Sequence, residues 1–312
     1  MKNVLVLGSW GFIGSNLLLA LDRRFQGTCD IIAFDRQETH PLHLICPSVK
    51  KVYAGDFLDQ TLFEQIFSEN QIDTVFHLVS STVPATSSNV RFDVETNLLP
   101  TIDILDQMAR HGVSKIVYLS SGGAVYGNSS SRHKESDEVF PISSYGAVKV
   151  AIEKYLFMYA HQKGIQPLVV RLSNPYGPYH MNRKQGLINV ALRAAMNEEI
   201  VQIWGDGTNR KDFIFIDDCV NAIIDLVEAE SWGNIVNVGS GSEHSLNEIL
   251  QVVSELKHGF SWQYSESRSF DTLNFALDVS RLEALTGMHA FTSLSEGIQK
   301  TYQWLQRQHE VR

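Results

Sequence analysis

A glycine-rich turn between an apolar run and a helical pattern restricts the fold more than any other feature. The segment "GSWGFIG" places Gly8, Gly11 and Gly14 directly after the run "VLVLG" (4–8) and at the start of a helical pattern (12–24). Glycines let the backbone turn tightly and approach a pyrophosphate, while the N-terminus of the following helix offers free N–H groups. The pattern predicts that the chain begins with a strand, a nucleotide-binding turn and a helix.

The same strand–helix order recurs along the first half of the chain. The strand candidates are continuously apolar, as expected for parallel strands that are covered on both faces. We predict strands at 4–8, 30–35, 51–56, 73–80, 115–121 and 167–174, and helices at 12–24, 61–70, 91–111 (kinked by Pro100) and 144–163. This order predicts an α/β fold with a doubly wound, Rossmann-type parallel sheet in a domain spanning 1–174.

After residue 175 the alternation loosens, which predicts a smaller, mixed α/β C-terminal lobe (175–312) that binds the substrate. Segments around 212–240 are expected to return to the first domain. We predict helices at 187–197, 218–229, 245–256 and 294–307, and a strand at 234–238.

Composition and net charge restrict the classes of partner that the chain can bind. A formal net charge of −9 over 312 residues disfavours nucleic acid or an anionic membrane as a partner. No apolar stretch reaches the length of a membrane span, and the apolar start lacks the features of a secretion signal, which predicts a buried strand. The three cysteines, Cys29, Cys46 and Cys219, share no metal-ligand spacing, which predicts reduced thiols in a cytoplasm and no metal site.

Acidic residues end the second and third predicted strands. Asp35 lies 21 residues after Gly14, where a carboxylate can bind the ribose hydroxyls of an adenosine. A carboxylate there repels a 2′-phosphate and favours NAD over NADP, whereas the neighbouring Arg36 could accept that phosphate. Asp56 either accepts a hydrogen bond from the adenine amino group or caps a helix at 58–70.

Tyr145 and Lys149 in "YGAVK" are four residues apart and lie on one face of a predicted helix. A free phenol has a pKa of about 10 and is a poor base at neutral pH. A nearby ammonium and a positively charged nicotinamide favour the phenolate, so we expect both to lower the pKa of Tyr145. The same spacing also occurs on solvated helix faces.

Short motifs occur along nearly the whole chain, namely "GSWGFIG", "GDFLD" (55–59), "HLVS" (77–80), "NLLPT" (97–101), "SSGGAVYG" (120–127), "YGAVK", "RLSNPYGP" (171–178) and "WGDGTNRKDFIFIDD" (204–218). Together they resemble the extended short-chain dehydrogenase/reductase family, in its nucleotide-sugar epimerase branch. The resemblance implies that Tyr145 is the acid/base, that Lys149 is its partner on the nicotinamide ribose, and that NAD is the cofactor.

The resemblance also implies the two binding sites. The cofactor residues would be Gly8, Gly11, Phe12, Ile13, Gly14, Asp35, Arg36, Asp56, Phe57, Leu78, Val79, Ser80, Asn97, Ser120, Tyr145, Lys149 and Ser173. On the substrate side, Asn174, Lys211 and Arg268 would bind the diphosphate. Asp271 would bind the uridine ribose, and Trp204 would stack on uracil or else be a core tryptophan. Phe275, seven positions after Arg268, would be a gate that blocks a 2-acetamido group.

Family dehydratases and decarboxylases carry Asp and Glu at the positions of Gly123 and Ala124. The absence of these two acidic residues here favours an NAD-dependent UDP-hexose 4-epimerase that interconverts sugars of the UDP-glucose and UDP-galactose type. Many family epimerases also have a hydroxyl at the position of Gly122, for which Ser121 or Ser120 would stand in. The alternatives are a nucleotide-sugar 4-keto reductase using NAD(P)H, and a non-catalytic NAD-binding regulatory protein.

The family pairs two helices of each subunit into a homodimer. The corresponding segments here are 91–111 and 144–163. Their apolar residues are too many for one buried face, which predicts the same homodimer, unless both helices are simply enclosed in the monomer. Those residues are Leu98, Ile102, Leu105, Ile152, Leu156 and Tyr159.

Overall fold

The computed structural model describes residues 1–38, 40–82, 89–127, 132–182, 185–266, 274–288 and 290–310. The strands are β1 Asn3–Leu7, β2 Asp30–Asp35, β3 Val49–Ala54, β4 Thr74–His77, β5 Lys115–Ser121, β6 Gln166–Leu172, β7 Asn174–Tyr176, β8 Ile200–Trp204, β9 Arg210–Phe215, β10 Asn234–Val238, β11 Glu243–Ser245, β12 Ser261–Ser265 and β13 Asn274–Phe275. The α-helices are α1 Phe12–Phe25, α2 Gln60–Glu69, α3 Val90–Asp93, α4 Leu99–Arg110, α5 Gly122–Val125, α6 Ser144–Lys163, α7 Leu187–Asn197, α8 Ile216–Glu228, α9 Leu246–Leu256, α10 Ser280–Thr286 and α11 Leu294–Glu310.

Seven parallel strands form the central sheet, in the order β3-β2-β1-β4-β5-β6-β10. The strand order reverses between β1 and β4, and ligands of doubly wound sheets bind beyond the carboxyl ends of the strands at such a point. The glycine-rich turn follows β1 and therefore lies at this point. The prediction of a Rossmann-type sheet with a smaller mixed lobe is confirmed.

Each face of the sheet is covered by an apolar cluster. Residues of β1 alternate between the two clusters, with Val4 and Val6 in one and Leu5 and Leu7 in the other. Helices α1 and α8 pack together, as do α2, α4 and α6. Strands buried on both faces explain why the predicted runs are continuously apolar.

The predicted kink at Pro100 takes the form of a π-helical turn over Val94–Leu98, between α3 and α4. Pro100 has no N–H to donate to the carbonyl of Thr96, four residues earlier. That carbonyl accepts a hydrogen bond from Ser81 Oγ at 3.2 Å. The turn thereby ties the helix to the loop that follows β4.

Two small sheets lie in the described part of the C-terminal lobe. In one, β9 pairs with β7, β11 and β13, and in the other β8 pairs with β12. Strand β10 joins the central sheet beside β6, and α8 packs on α1. The chain thus returns to the first domain over α8 and β10, whereas β9 belongs to the lobe.

The apolar residues chosen for the dimer argument do not form a free face. Leu105, Ile152, Leu156 and Tyr159 are buried within the chain, and Leu98 and Ile102 pack against the same cluster. That argument is wrong because a helical pattern does not tell which neighbour covers its apolar side. In the part of the chain that the structure describes, no helix is long and apolar enough to cross a membrane.

Candidate active site

The turn after β1 forms a cradle that carries no side chain at positions 8, 11 and 14. Gly8 has a φ of +83°, which favours glycine, and a Cβ at Gly14 would stand 2.1 Å from the carbonyl oxygen of Gly8. No side chain caps α1 at Gly11. Backbone N–H groups at the start of this helix can therefore face an anion such as a pyrophosphate. Phe12 and Ile13 begin the helix, and the ring of Phe12 contacts that of His180.

Asp35 lies directly beside this turn. Its two carboxylate oxygens accept hydrogen bonds from the backbone N–H groups of Trp10, at 2.9 Å, and Arg36, at 2.8 Å. The Trp10 ring stacks on His40, with centroids 5.2 Å apart. Trp10 was not predicted, although an aromatic residue between the glycines of the turn was a usable signal. The side chain of Arg36 is exposed.

Asp59, not Asp56, caps α2, because its side chain accepts from the N–H groups of Thr61 and Leu62. The alternative role of Asp56 as the helix cap is therefore wrong. Asp56 accepts a hydrogen bond from the N–H of Leu58 at 3.0 Å. Phe57 is buried among core aromatic rings, namely those of Phe34, Phe63 and His77.

The loop after β4 runs along the glycine turn. The N–H of Leu78 donates to the carbonyl of Leu7 at 3.1 Å. A Cβ at Gly8 would stand 3.3 Å from the nitrogen of Val79. The side-chain oxygen of Asn97 accepts from the N–H of Ser81 at 2.8 Å, which fixes the far end of the loop.

Tyr145 and Lys149 meet as the helical spacing predicts. The Lys149 ammonium lies 5.6 Å from the centroid of the Tyr145 ring and donates to the carbonyl of Leu119 at 2.8 Å. The Tyr145 hydroxyl forms hydrogen bonds with the side chains of Ser121 and Ser80. A phenol, an ammonium and two hydroxyls thus converge at the carboxyl ends of β4 and β5.

Burial dominates the electrostatics of this pair. It raises the pKa of Tyr145, and the hydrogen bonds with Ser121 and Ser80 oppose that shift. Burial also lowers the pKa of Lys149 to about 8, against the attraction of the Glu153 carboxylate. The expectation that Lys149 and a bound nicotinamide together lower the pKa of Tyr145 concerns the protein with its cofactor, so it stays a prediction.

Ser120 and Ser121 point to different partners. Ser120 Oγ donates to Glu153 Oε1 at 2.5 Å and is buried, whereas Ser121 bonds with Tyr145. Arg171 Nη2 bonds with Glu153 Oε2 at 2.7 Å. Sequence reasoning missed the Glu153–Arg171 pair, although an acidic residue four positions after Lys149 was a usable signal.

Three predicted site residues lie where the central sheet meets the C-terminal lobe, namely Ser173, Asn174 and Lys211. Ser173 is buried, and its hydroxyl has no hydrogen-bond partner among the described residues. Such an orphaned group fits a site completed by a ligand. Asn174, on β7, donates to the carbonyl of Asp212 at 2.8 Å. Lys211, on β9, is the register partner of Phe275 on β13.

Phe275 is buried, with 3% of its surface exposed. Its ring tip and Leu277 lie 3.1 Å and 2.9 Å from where a Cβ at Gly122 would stand. Trp204, on β8, is 41% exposed, so its interpretation as a core residue is wrong. Arg268 and Asp271 lie outside the described residues.

Comparison with known proteins adds to this geometry. The chain is 32% identical to a putative UDP-glucose 4-epimerase of Methanocaldococcus jannaschii, over 97% of this chain and 98% of that protein. It is 28% identical to a dTDP-4-dehydro-6-deoxyglucose reductase of Escherichia coli, over 96% of each chain.

The solved structure of a UDP-glucose 4-epimerase from Thermotoga maritima with UDP-glucose superposes with a TM-score of 0.89. It is 27% identical, with 98% of this chain and 99% of that chain covered. The sequence profile of the NAD dependent epimerase/dehydratase family matches residues 4–239. The glycine cradle and the orphaned Ser173 hydroxyl fit the cofactor that this family uses. The chain belongs to the NAD-dependent epimerase/dehydratase family.

Proposed function

We propose that the chain is a UDP-hexose 4-epimerase with tightly bound NAD, which interconverts sugars of the UDP-glucose and UDP-galactose type. The surroundings of Tyr145 carry this proposal. Its hydroxyl is bonded by two serines and stands near one lysine, while positions 123 and 124 hold glycine and alanine. Elimination of water from a sugar requires positioned acids and bases, whereas oxidation of a carbinol and its reversal requires one proton acceptor.

When bound, NAD would supply the hydride acceptor for oxidation at C4 of the sugar and the hydride donor for its reversal. The side chains of the protein transfer the proton. Tyr145 takes the proton of the 4-hydroxyl and later gives it back, because its phenol oxygen is a proton acceptor at the carboxyl ends of β4 and β5. The Lys149 ammonium, fixed by the Leu119 carbonyl, supplies the positive charge that the phenolate needs. The glycine turn, Asp35 and Ser173 would hold the two ends of the cofactor.

The substrate would lie along the edge formed by β7, β9 and β13. Asn174 and Lys211 would face its diphosphate, together with Arg268, and Asp271 would bind the uridine ribose. The exposed Trp204 would stack on uracil. A lysine at 211 binds phosphate as a point charge, without the bidentate geometry of arginine.

The protein would act as a homodimer. A different set of side chains from the one first considered supports this state. Phe92 and Leu99 on the helical segment 90–110, and Tyr155 and Met158 on α6, are exposed apolar residues. Apolar side chains exposed together on neighbouring helices are typical of a protein–protein interface.

A 4-keto reductase that consumes NADPH is the second candidate. The similarity to the Escherichia coli reductase and the exposed Arg36 beside Asp35 favour it. The pure protein is incubated with a panel of UDP-sugars, and the products are resolved by chromatography. An epimerase converts UDP-galactose without added cofactor, whereas a reductase leaves it unchanged and oxidises NADPH when a 4-keto nucleotide sugar is added.

The variant Tyr145→Phe tests the same proposal. We expect it to lose a factor of roughly 10²–10⁴ in turnover, because the variant lacks the acid/base group, while NAD still binds. Turnover close to that of the wild type would refute the assignment. Binding of NAD without conversion of any sugar nucleotide would instead identify a non-catalytic regulatory protein.

A further inference from the structure

Position 122 leaves little room for a side chain. A Cβ there would stand 2.9 Å from Leu277 Cδ2 and 3.1 Å from Phe275 Cζ, and both of those residues are buried. Contacts this short require the neighbours to shift, which packed cores resist. A hydroxyl at 122 is therefore disfavoured by a segment that lies more than 150 positions further along the chain.

Two serines bond with Tyr145, and they approach from different strands. Ser121 is the last residue of β5, while Ser80 lies in the loop after β4. Ser120 takes no part, because its hydroxyl donates to Glu153 at 2.5 Å. Ser80 is thus a hydroxyl at the phenol that the β5 segment does not supply.

The proton of Ser80 is already placed in this state of the protein. Ser80 Oγ donates to the backbone carbonyl of Thr82 at 2.8 Å. A hydroxyl carries one proton and two lone pairs, so towards Tyr145 it accepts the hydrogen bond of the protonated phenol. Once the phenol has lost its proton, an accepting partner becomes a repulsive one.

We propose that Ser80 supplies the hydroxyl that position 122 cannot, by rotating its O–H from the Thr82 carbonyl to the oxygen of the Tyr145 phenolate. Only the O–H bond turns, and no proton leaves Ser80. When Tyr145 takes a proton from the substrate, the Ser80 O–H returns to Thr82. This role rests on the proposed function, since it assigns to Ser80 a share in stabilising the charged form of the base.

The test compares Ser80→Ala with Ser121→Ala and with the control Ser81→Ala. Ser81 is the adjacent serine, but its hydroxyl donates to Thr96 at 3.2 Å. The pKa of the Tyr145 phenol is measured on the NAD-bound proteins by ultraviolet difference absorbance against the same protein carrying Tyr145→Phe. We expect Ser80→Ala to raise this pKa by about one unit, because the phenolate loses a hydrogen-bond donor. Ser81→Ala should leave the pKa unchanged.

Turnover gives the second readout. For Ser80→Ala we expect kcat/KM for UDP-galactose to fall about tenfold at pH 7, with the acidic limb of its pH profile moved to higher pH. An unchanged phenol pKa in Ser80→Ala, or an equal shift in Ser81→Ala, would overturn the proposal even if the wild type epimerises. A shifted pKa in a protein that converts no UDP-sugar would support Ser80 and count against the proposed function alone.

Discussion

The carboxylate of Glu153 forms a two-point ion pair with the guanidinium of Arg171, with Nη2–Oε2 at 2.7 Å and Nε–Oε1 at 3.2 Å. The two side chains are only 1% and 4% exposed. Ser120 and the hydroxyl of Tyr126 bond to the same pair. These contacts leave each charge compensated inside the core and fix the end of β5 against α6.

Breaking this pair should cost stability. We expect Glu153→Gln to lower the free energy of unfolding by about 3–5 kcal/mol, because it leaves the buried Arg171 charge uncompensated. The exposed pair Arg91–Glu95 is the control, and Glu95→Gln should cost at most about 1 kcal/mol. Urea denaturation measures both variants. Similar losses in both would show that burial does not set the strength of the Glu153–Arg171 pair.

Glu153 should also set the alkaline limit of turnover. Burial lowers the pKa of Lys149 to about 8, so its ammonium is lost as the pH rises through that value. We therefore expect turnover to fall above about pH 8. The Glu153 carboxylate raises the pKa of Lys149. In Glu153→Gln the alkaline fall in turnover should therefore begin at lower pH, whereas in Glu95→Gln it should stay in place. If the alkaline fall in turnover stays at the same pH in Glu153→Gln, Lys149 is excluded as the titrating group.

NAD should bind more tightly than NADP. Asp35 is held by the N–H groups of Trp10 and Arg36, which leaves its negative charge beside the turn where a 2′-phosphate would lie. We expect at least a tenfold preference, which corresponds to about 1.4 kcal/mol. Calorimetry on cofactor-free protein measures the dissociation constants of NAD and NADP. Asp35→Asn should bring these two constants closer together, because the repulsion between the carboxylate and the 2′-phosphate is removed. Equal or tighter binding of NADP to the wild type would favour the reductase.

Light scattering tests the homodimer. We expect a dimer at micromolar concentration for the wild type and a monomer for Met158→Lys, which places a charge among the exposed apolar residues of α6. Met181→Lys is a matched control, since Met181 is an exposed methionine in the lobe, away from both helices. A monomeric wild type, or dissociation by both variants alike, would contradict the proposed interface.

The strands of the central sheet and most of the helices could be predicted from the sequence because local patterns determine them. Glycines at fixed offsets and continuously apolar runs placed β1, α1 and β2 within one or two residues of their observed bounds. The Tyr145–Lys149 pair was equally accessible, because helical spacing alone puts both side chains on one face.

The surroundings of that pair depend on contacts between distant segments, and no local pattern encodes them. The glycine at 122 looks like a missing function until Phe275 and Leu277 are seen to fill its space. Ser80 could be assigned to the cofactor but not to Tyr145, because the approach of the loop after β4 to the start of α6 sets their distance. The choice between Ser120 and Ser121 likewise required the position of Glu153.

Phe275 should decide which sugars enter. Its ring is 3% exposed and packs on the turn at Gly122, directly after Ser121, which bonds with Tyr145. A phenyl ring in that position leaves little space for a 2-acetamido group, and overpacking a closed site costs roughly 1–3 kcal/mol, a factor of about 5–150. We therefore expect UDP-glucose and UDP-galactose to be preferred over their N-acetyl counterparts. UDP-glucuronate is not blocked by this residue, because its carboxylate is at C6.

The variant Phe275→Ser should lose this preference, since the smaller side chain opens the space that the acetamide needs. The measurement is the ratio of kcat/KM for UDP-galactose and UDP-N-acetylgalactosamine, determined for the wild type and the variant. Removing a buried ring also destabilises the fold, by about 3–5 kcal/mol for a change to alanine. The ratio within one preparation does not depend on how much of the protein is folded, so it separates selectivity from stability. Equal values for the two sugars in the wild type would show that Phe275 is a core residue and not a gate.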